Sequence, residues 1–382
     1  MPPFPPSGAY LKSIRESSHS LRKRAGISSH GLALPLNFPS PLDELNLLAI
    51  LSLLNFASGY RVQLHQEVGR GAWDTMRAFV FSLYLSSSID GGDLLSAHGI
   101  AAIDASKVAE LMGVNIHVER NHDTIPGLTI GQLGGPMYEL VNLVTEVLNK
   151  TGEILVDLGY PNLGAFVLEA LKEGAKAKPT PDGSQELDAV LERLVRALPG
   201  FQDMADVDGH PIYCFKKALF LIHAITIRFG SISPPPFPLP KTAQTPVFTD
   251  NVLPSMLIHL GVLDLSASPE LASLFPGAGS AEKLEPLLET YNAPESSIKV
   301  VSQQGPIVTT DQAYILRAAA IDACELMVET AHSLETLPGD GSLDWLKDVT
   351  LPELDMWIWA IAKDRPDYRR LERFALKDTV FF

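Results

Sequence analysis

Apolar residues recur at helical spacing along most of the chain. Apolar side chains at i, i+3, i+4 and i+7 predict amphipathic helices, and such windows cover segments 70–87, 104–112, 136–150, 184–198, 215–229 and 310–334. A further helix is predicted from Pro41 to about Asn55, with Ser40 as its cap. Asp43 and Glu44 suit the positive end of that helix dipole. The pattern predicts a mainly α protein.

Two segments interrupt the helical pattern. The run DVDGHPIY, residues 206–213, places Asp-Gly between short β-prone pieces, so we expect at most a small β-hairpin or sheet there. The proline-rich run 231–246 cannot form regular helix or an inner strand, because proline lacks the donor N–H. We predict a surface loop within one compact helical domain, residues 34–382, preceded by a flexible tail, residues 1–33. The alternative is that this loop separates two domains.

Composition and charge narrow the classes of partner. Acidic residues outnumber basic ones, 45 to 30, and the formal net charge of −15 would repel a nucleic acid backbone. Cys214 and Cys324 are far apart and show no zinc-ligand spacing, so no metal or disulfide framework is expected. The longest apolar stretch, 47–54, falls short of the roughly 20 residues of a membrane span. We expect a cytoplasmic protein that binds a small molecule, with no membrane or direct nucleic acid partner; its oligomeric state is not indicated.

Candidate chemistry begins directly after the proline-rich run. No phosphate-binding loop, dinucleotide-binding Gly-x-Gly-x-x-Gly or His-Glu-x-x-His motif occurs. In the segment Phe248-Thr249-Asp250, an aromatic face lies two residues from a carboxylate. Such a pair can stack on a heterocycle while the acid accepts hydrogen bonds from its N–H groups. The alternative is that Asp250 caps the next helix and Phe248 belongs to the core.

Two further segments carry candidate residues. Asp355 is predicted in the first turn of an aromatic-rich helix, where Trp357 and Trp359 could partly desolvate its carboxylate and favour positive charge developing on a ribose ring. The alternative is compensation of the helix dipole. Lys216 begins an apolar helix and could face a phosphate, although lysines at a helix surface are usually solvated.

Several segments in order resemble one family. They are LNF (54–56), LNKTGEIL (148–155), LPGFQD (198–203), YCFKKA (213–218), FTDNVLPSMLIHLGVL (248–263) and LDMWIWAIAKD (354–364). Together they look like the queuosine 5′-phosphate N-glycosylase/hydrolase family, the queuosine salvage proteins, from about residue 34 to the end. The resemblance implies an all-helical fold, distantly similar to helical DNA glycosylases. It also implies hydrolysis of queuosine 5′-phosphate, without a cofactor, to release queuine for tRNA modification.

The resemblance also implies roles for particular residues. Phe248 matches the phenylalanine that stacks on the base, and Asp250 matches the aspartate that recognises it. Asp355 matches the acid that acts as nucleophile or stabilises the transition state. Lys216 is a candidate on the phosphate side, and Trp359 is a further substrate-binding candidate.

The sequence also departs from the family pattern. Residues 57–60 replace a run of aromatic residues, and the ending 374–382 lacks the histidine and arginines of the family ending. An alternative is therefore a catalytically impaired paralogue that binds a nucleotide or a protein partner. A helical scaffold without a ligand is the third hypothesis.

Overall fold

Helices make up most of the chain that the structure describes. A computed structural model describes residues 36–89, 92–178, 184–289, 304–334 and 344–382. It is 60% helical, and its strands form two antiparallel two-stranded sheets. The prediction of a mainly α fold is confirmed. The predicted flexible tail, residues 1–33, lies outside the described residues.

Residue contacts divide the chain into two compact units that are built from non-consecutive segments. The N-terminal unit comprises the described residues of 36–203, 215–241 and 375–382, and the C-terminal unit comprises those of 204–214 and 242–374. The proline-rich run contains no helix or strand, as predicted, and the boundary between Lys241 and Thr242 falls inside it. The single domain over 34–382 and its likeness to DNA glycosylases stay predictions.

The N-terminal unit contains nine of the described helices and one hairpin. The helices are α1 (Pro41–Leu53), α2 (Arg61–Val68), α3 (Ala72–Ile89), α4 (Ala97–Ala102), α5 (Ala105–Met112), α6 (Gly135–Asp157), α7 (Leu163–Gly174), α8 (Ser184–Ala197) and α9 (Lys216–Phe229). Strands β1 (His117–Asn121) and β2 (Thr129–Leu133) pair antiparallel, with Glu119 opposite Gly131.

Helix α1 lies at the centre of this unit. Its residues from Leu47 to Leu51 are all fully buried, as expected for a helix that is apolar on every side. The side-chain amide of Asn46, directly before this stretch, is buried and satisfied: its Nδ2 donates to Leu95 O at 3.0 Å, and its Oδ1 accepts from Gly164 N–H at 2.9 Å. The predicted cap is also present, because Ser40 Oγ accepts from the N–H of Asp43.

The C-terminal unit begins with the predicted hairpin. Strands β3 (Met204–Val207) and β4 (His210–Tyr213) pair antiparallel. The two residues between them, Asp208 and Gly209, have φ values of +53° and +80°. A left-handed conformation at both turn positions is what an Asp-Gly hairpin requires. The hairpin prediction is therefore confirmed in place and in turn chemistry.

The C-terminal unit contains six α-helices among its described residues, and three of them supply most of its main apolar core. The six are α10 (Val252–His259), α11 (Pro269–Leu274), α12 (Ala281–Leu288), α13 (Thr310–Ser333), α14 (Leu351–Asp364) and α15 (Pro366–Arg370). Buried side chains from α10, α13 and α14 meet in this core, among them Met256, Leu257, Ala320, Cys324 and Ile358. This packing holds the segments that carry the candidate residues 248–250 and 355.

None of the described helices is by itself long and apolar enough to cross a membrane. Taken together, residues 41–53 and 58–68 reach the required length and composition, but this pair is bent by 64°. Its first member, α1, is the buried central helix of the N-terminal unit.

Candidate functional site

Asp250 caps the helix that follows it. Its Oδ1 accepts hydrogen bonds from Val252 N–H at 2.7 Å and from Leu253 N–H at 3.4 Å. The first of these is the closer contact and satisfies one of the amides that a helix start leaves without an intrahelical partner. The Oδ1 atom of Asp250 therefore has the capping role that was the alternative to ligand binding. The side chain is half-buried, and its Oδ2 accepts no hydrogen bond within the described residues.

Phe248 lies in the interior of the C-terminal unit. Its side chain is 6% exposed, and its neighbours Val247 and Thr249 are fully buried. This burial is what the core interpretation expects. Stacking on a base would require the ligand to reach one face of the ring. The aromatic and acidic residues of the segment thus differ in exposure, with Asp250 the more open of the two.

Asp355 belongs to α14, whose start is fixed by a reciprocal pair of side chains. Thr350 Oγ1 accepts from Glu353 N–H, and Glu353 Oε2 accepts from Thr350 N–H at 2.9 Å. The helix begins at Leu351, so Glu353 is the acid of the first turn and Asp355 follows in the second. The expectation that Asp355 lies in the first turn is wrong. Since the dipole effect falls off within that turn, dipole compensation applies to Glu353 rather than to Asp355.

The carboxylate of Asp355 is buried within an apolar stripe. It is 9% exposed, and Leu354 and Ile358 beside it on the helix are buried as well. Burial is the main cause that raises the pKa of the Cys324 thiol on α13, and the negative charge of Asp355 raises it further. Asp355 is therefore close enough to Cys324 on α13 for its charge to act on the thiol, in a buried setting where charge interactions are weakly screened.

Trp359 lies one helical turn after Asp355 and is half-buried. The Nζ of Lys363 is 5.0 Å from the centroid of its ring, within the range of a cation–π interaction. One face of the indole is thus taken by the lysine. The Nε1 atom of Trp357 is buried and finds no acceptor among the described residues.

Lys216 belongs to the N-terminal unit, unlike the other candidates. It is 4% exposed, so the expectation of a solvated surface lysine is wrong. Its Nζ donates to Asn55 O at 2.7 Å and to Asn55 Oδ1 at 3.2 Å. Its own N–H donates to the Asp203 carboxylate at 3.0 Å. The lysine is buried because carbonyl and amide oxygens near the C-terminal end of α1 accept its hydrogen bonds. Its role toward a phosphate stays a prediction.

Comparison with known proteins does not assign the chain to a family. No protein-family model matches the chain, and no curated protein matches it. The ordered motifs that resemble queuosine salvage proteins therefore support a proposal only. Among the described residues, no group of three or more His, Cys, Asp or Glu side chains is arranged to hold a metal ion.

Two buried cations were not anticipated from the sequence. Arg317 on α13 and Lys217 on α9 are both fully buried. Each lies at an apolar stripe position of its helix: Arg317 is spaced with Ala313 and Ala320, and Lys217 is spaced with Leu221. A charge at a position that the helical period assigns to the core is the signal that could have identified them.

Proposed function

We propose that the chain hydrolyses the N-glycosidic bond of queuosine 5′-phosphate and releases queuine. The observation that carries the proposal is the buried carboxylate of Asp355 on an aromatic-rich helix. Asp355, Phe248 and Asp250 belong to the same unit, as their assigned roles require. The choice of substrate rests on the ordered motifs that resemble queuosine salvage proteins. The burial of Asp355 beyond the first turn favours a role other than dipole compensation.

In the proposed reaction, positive charge develops on the ribose ring as the bond to the base breaks. The bonding electrons leave with the base, which takes up a proton. The Asp355 carboxylate either stabilises the ribosyl cation, to which water then bonds, or bonds to the anomeric carbon and is displaced when water bonds there and the carboxylate–carbon bond breaks. In both cases the water loses a proton, and Asp355 ends as a free carboxylate. A carboxylate in a poorly solvated setting interacts strongly with such charge.

Recognition of the base falls to the segment before α10. The Phe248 ring would stack on the heterocycle, and Asp250 would accept hydrogen bonds from its amino or ring N–H groups through Oδ2. Capping supports this role, because the bonds from Val252 and Leu253 hold Oδ1 and thereby orient the other oxygen. Trp359 offers a further aromatic surface one turn from Asp355.

The test follows the release of queuine. Purified protein is incubated with queuosine 5′-monophosphate, and queuine is measured by mass spectrometry for the wild type, Asp355→Asn and Asp364→Asn. Asp364 is a matched control, because it is an exposed carboxylate at the end of the same helix. We expect release by the wild type and Asp364→Asn, and a loss of at least about a thousandfold in Asp355→Asn. Unchanged release by Asp355→Asn would reject its assigned role.

A second candidate function is binding without turnover. It is favoured by the ending 374–382, which lacks the histidine and arginines of the family. Calorimetric titration of the wild type with queuosine 5′-monophosphate separates the two functions. If the wild type binds the nucleotide, Phe248→Leu weakens this binding and no queuine is detected, the result would support a catalytically impaired paralogue.

A further inference from the structure

Arg317 is the largest fully buried side chain among the described residues. It lies on α13 in the C-terminal unit, at a stripe position that also includes Ala313, Ala320 and Cys324. Removing a guanidinium from water is costly unless hydrogen bonds and π contacts replace its hydration. The contacts of this side chain therefore indicate what it does.

The guanidinium contacts the middle of the candidate base-recognition segment. Arg317 Nε donates to the main-chain oxygen of Thr249 at 3.0 Å. Its central carbon lies 5.1 Å from the centroid of the Tyr314 ring, one turn earlier on α13. Thr249 stands between Phe248 and Asp250, so this hydrogen bond fixes the second of the two peptides that separate the candidate residues.

The residues after Thr249 are held by other groups. Asp250 Oδ1 accepts from the N–H groups at the start of α10. Asn251 Nδ2 donates to Phe374 O at 2.7 Å, and Phe374 N–H donates to Ser255 Oγ at 3.3 Å. These bonds fix the side of the segment that adjoins α10. Arg317 holds the carbonyl of Thr249, in the peptide that joins Thr249 to Asp250.

We propose that Arg317 is a positioning residue for the Phe248–Asp250 segment. It fixes the peptide between the ring that stacks on the base and the carboxylate that recognises it. The inference rests on the proposed function. It adds that the segment which recognises a heterocycle with adjacent N–H donors is held in place by α13. Arginine suits this task, because its planar group donates several hydrogen bonds while packing on an aromatic ring.

Kinetic constants distinguish positioning from a purely structural role. If Arg317 only stabilises the core, substitution reduces the fraction of folded enzyme, so kcat falls while KM is unchanged. If it orients the segment, base recognition weakens in folded enzyme, and KM rises. Misplacement of a binding group by a fraction of an ångström to one ångström can cost on the order of ten- to a hundredfold.

The test uses Arg317→Lys, Arg317→Met and a matched control, Arg365→Met. Arg365 is a largely buried arginine of the same unit that pairs with Asp367 and lies over the Tyr368 ring at 4.4 Å, away from residues 248–250 in the chain. We expect KM for queuosine 5′-monophosphate to rise about tenfold or more in Arg317→Met and less in Arg317→Lys, which keeps a donor. Arg365→Met should leave KM unchanged. Equal KM values in all three variants would overturn the positioning role.

Amide hydrogen exchange separates failure of this inference from failure of the proposed function. The N–H groups of Val252 and Leu253 report the Asp250 contact without any substrate. We expect faster exchange at both amides in Arg317→Met, with the rest of α10 protected. If the wild type releases no queuine but these amides respond, the proposed reaction fails and the positioning role stands. If neither KM nor exchange responds, the positioning role is rejected.

Discussion

The buried amino group of Lys217 donates a hydrogen bond to the main-chain oxygen of Val380, at an Nζ–O distance of 2.5 Å. A second hydrogen bond, at 2.7 Å, goes to Leu53 O at the end of α1. The rings of Phe56 and Phe381 lie 5.1 Å and 5.9 Å from the same nitrogen. One lysine thus joins α1, α9 and the C-terminal segment within the N-terminal unit.

Replacing this lysine should destabilise the protein. Lys217→Met keeps most of the volume but leaves the carbonyls of Leu53 and Val380 without their donor. Buried acceptors that lose a partner cost about 1–3 kcal/mol each, so we expect a decrease of about 2–4 kcal/mol in the free energy of unfolding. Urea denaturation at pH 7 measures it. The control Lys150→Met, at an exposed position of α6, should change stability by less than about 0.5 kcal/mol.

The stability that Lys217 provides should depend on pH. Burial, with repulsion from Lys216, lowers the pKa of Lys217 well below its usual 10.5, while Asp203 raises it. Between the lowered pKa and 10.5, the unfolded chain binds more protons than the folded one, so stability rises with pH in that window. The wild type should therefore gain stability relative to Lys217→Met as the pH increases toward 10.5. A difference that is constant or shrinks with pH would contradict this assignment.

Gly59 permits the C-terminal segment to pass close to the start of α2. A Cβ at this position would lie 2.2 Å from Leu376 O, an atom of the main chain that cannot rotate away. Gly59→Ala should destabilise the protein by about 1–3 kcal/mol, as overpacking does in a rigid setting. In the control, Gly71→Ala, the nearest atom is His65 Nε2 at 3.4 Å, so little change is expected. Thermal unfolding of both variants tests the difference.

Two long helices could be predicted from the helical spacing of their apolar residues to within one residue at each end. Segments predicted at 184–198 and 310–334 are helical at Ser184–Ala197 and Thr310–Ser333. Local side chains determine where such helices begin. At the start of α13, for example, Thr309 and Gln312 form a capping box. Period and capping chemistry act over one or two turns, so they need no knowledge of the rest of the fold.

Other elements depended on tertiary contacts. Helix α6 was predicted to end at Lys150, but it continues through Gly152 to Asp157. Gly152 lies inside the helix because a Cβ there would be 2.4 Å from Ala101 N, so a close approach to α4 requires glycine. Helix α7 and the β1–β2 hairpin were not predicted. In the hairpin every residue is exposed, so it lacks the one-sided burial that produces an alternating pattern.

The motif at 148–155, one of those that carry the family resemblance, contains residues that pack one helix against another. Asn149 Nδ2 donates to the main-chain oxygens of Ile100, Ala101 and Ile103 at 2.9–3.0 Å. Together with Gly152, it fixes α4 against α6. This part of the resemblance is therefore explained by packing. The burial of Asp355 could not be derived in the same way, because an acid near a helix start suits the dipole equally well until packing against α13 is known.

Thr350 offers a change that should separate the stability of α14 from the role of Asp355. Thr350→Ala removes the hydroxyl that accepts from Glu353 N–H, and loss of such a cap costs about 0.5–2 kcal/mol. Thr350→Ser keeps the hydroxyl and should stay close to the wild type in urea denaturation. Because Asp355 lies beyond the first turn, the alanine variant should keep wild-type queuine release well below its unfolding temperature. Equal stabilities of the alanine and serine variants would show that the cap contributes nothing. A loss of release in Thr350→Ala while the protein is still folded would mean that the start of α14, and not the buried stripe, holds Asp355 in place.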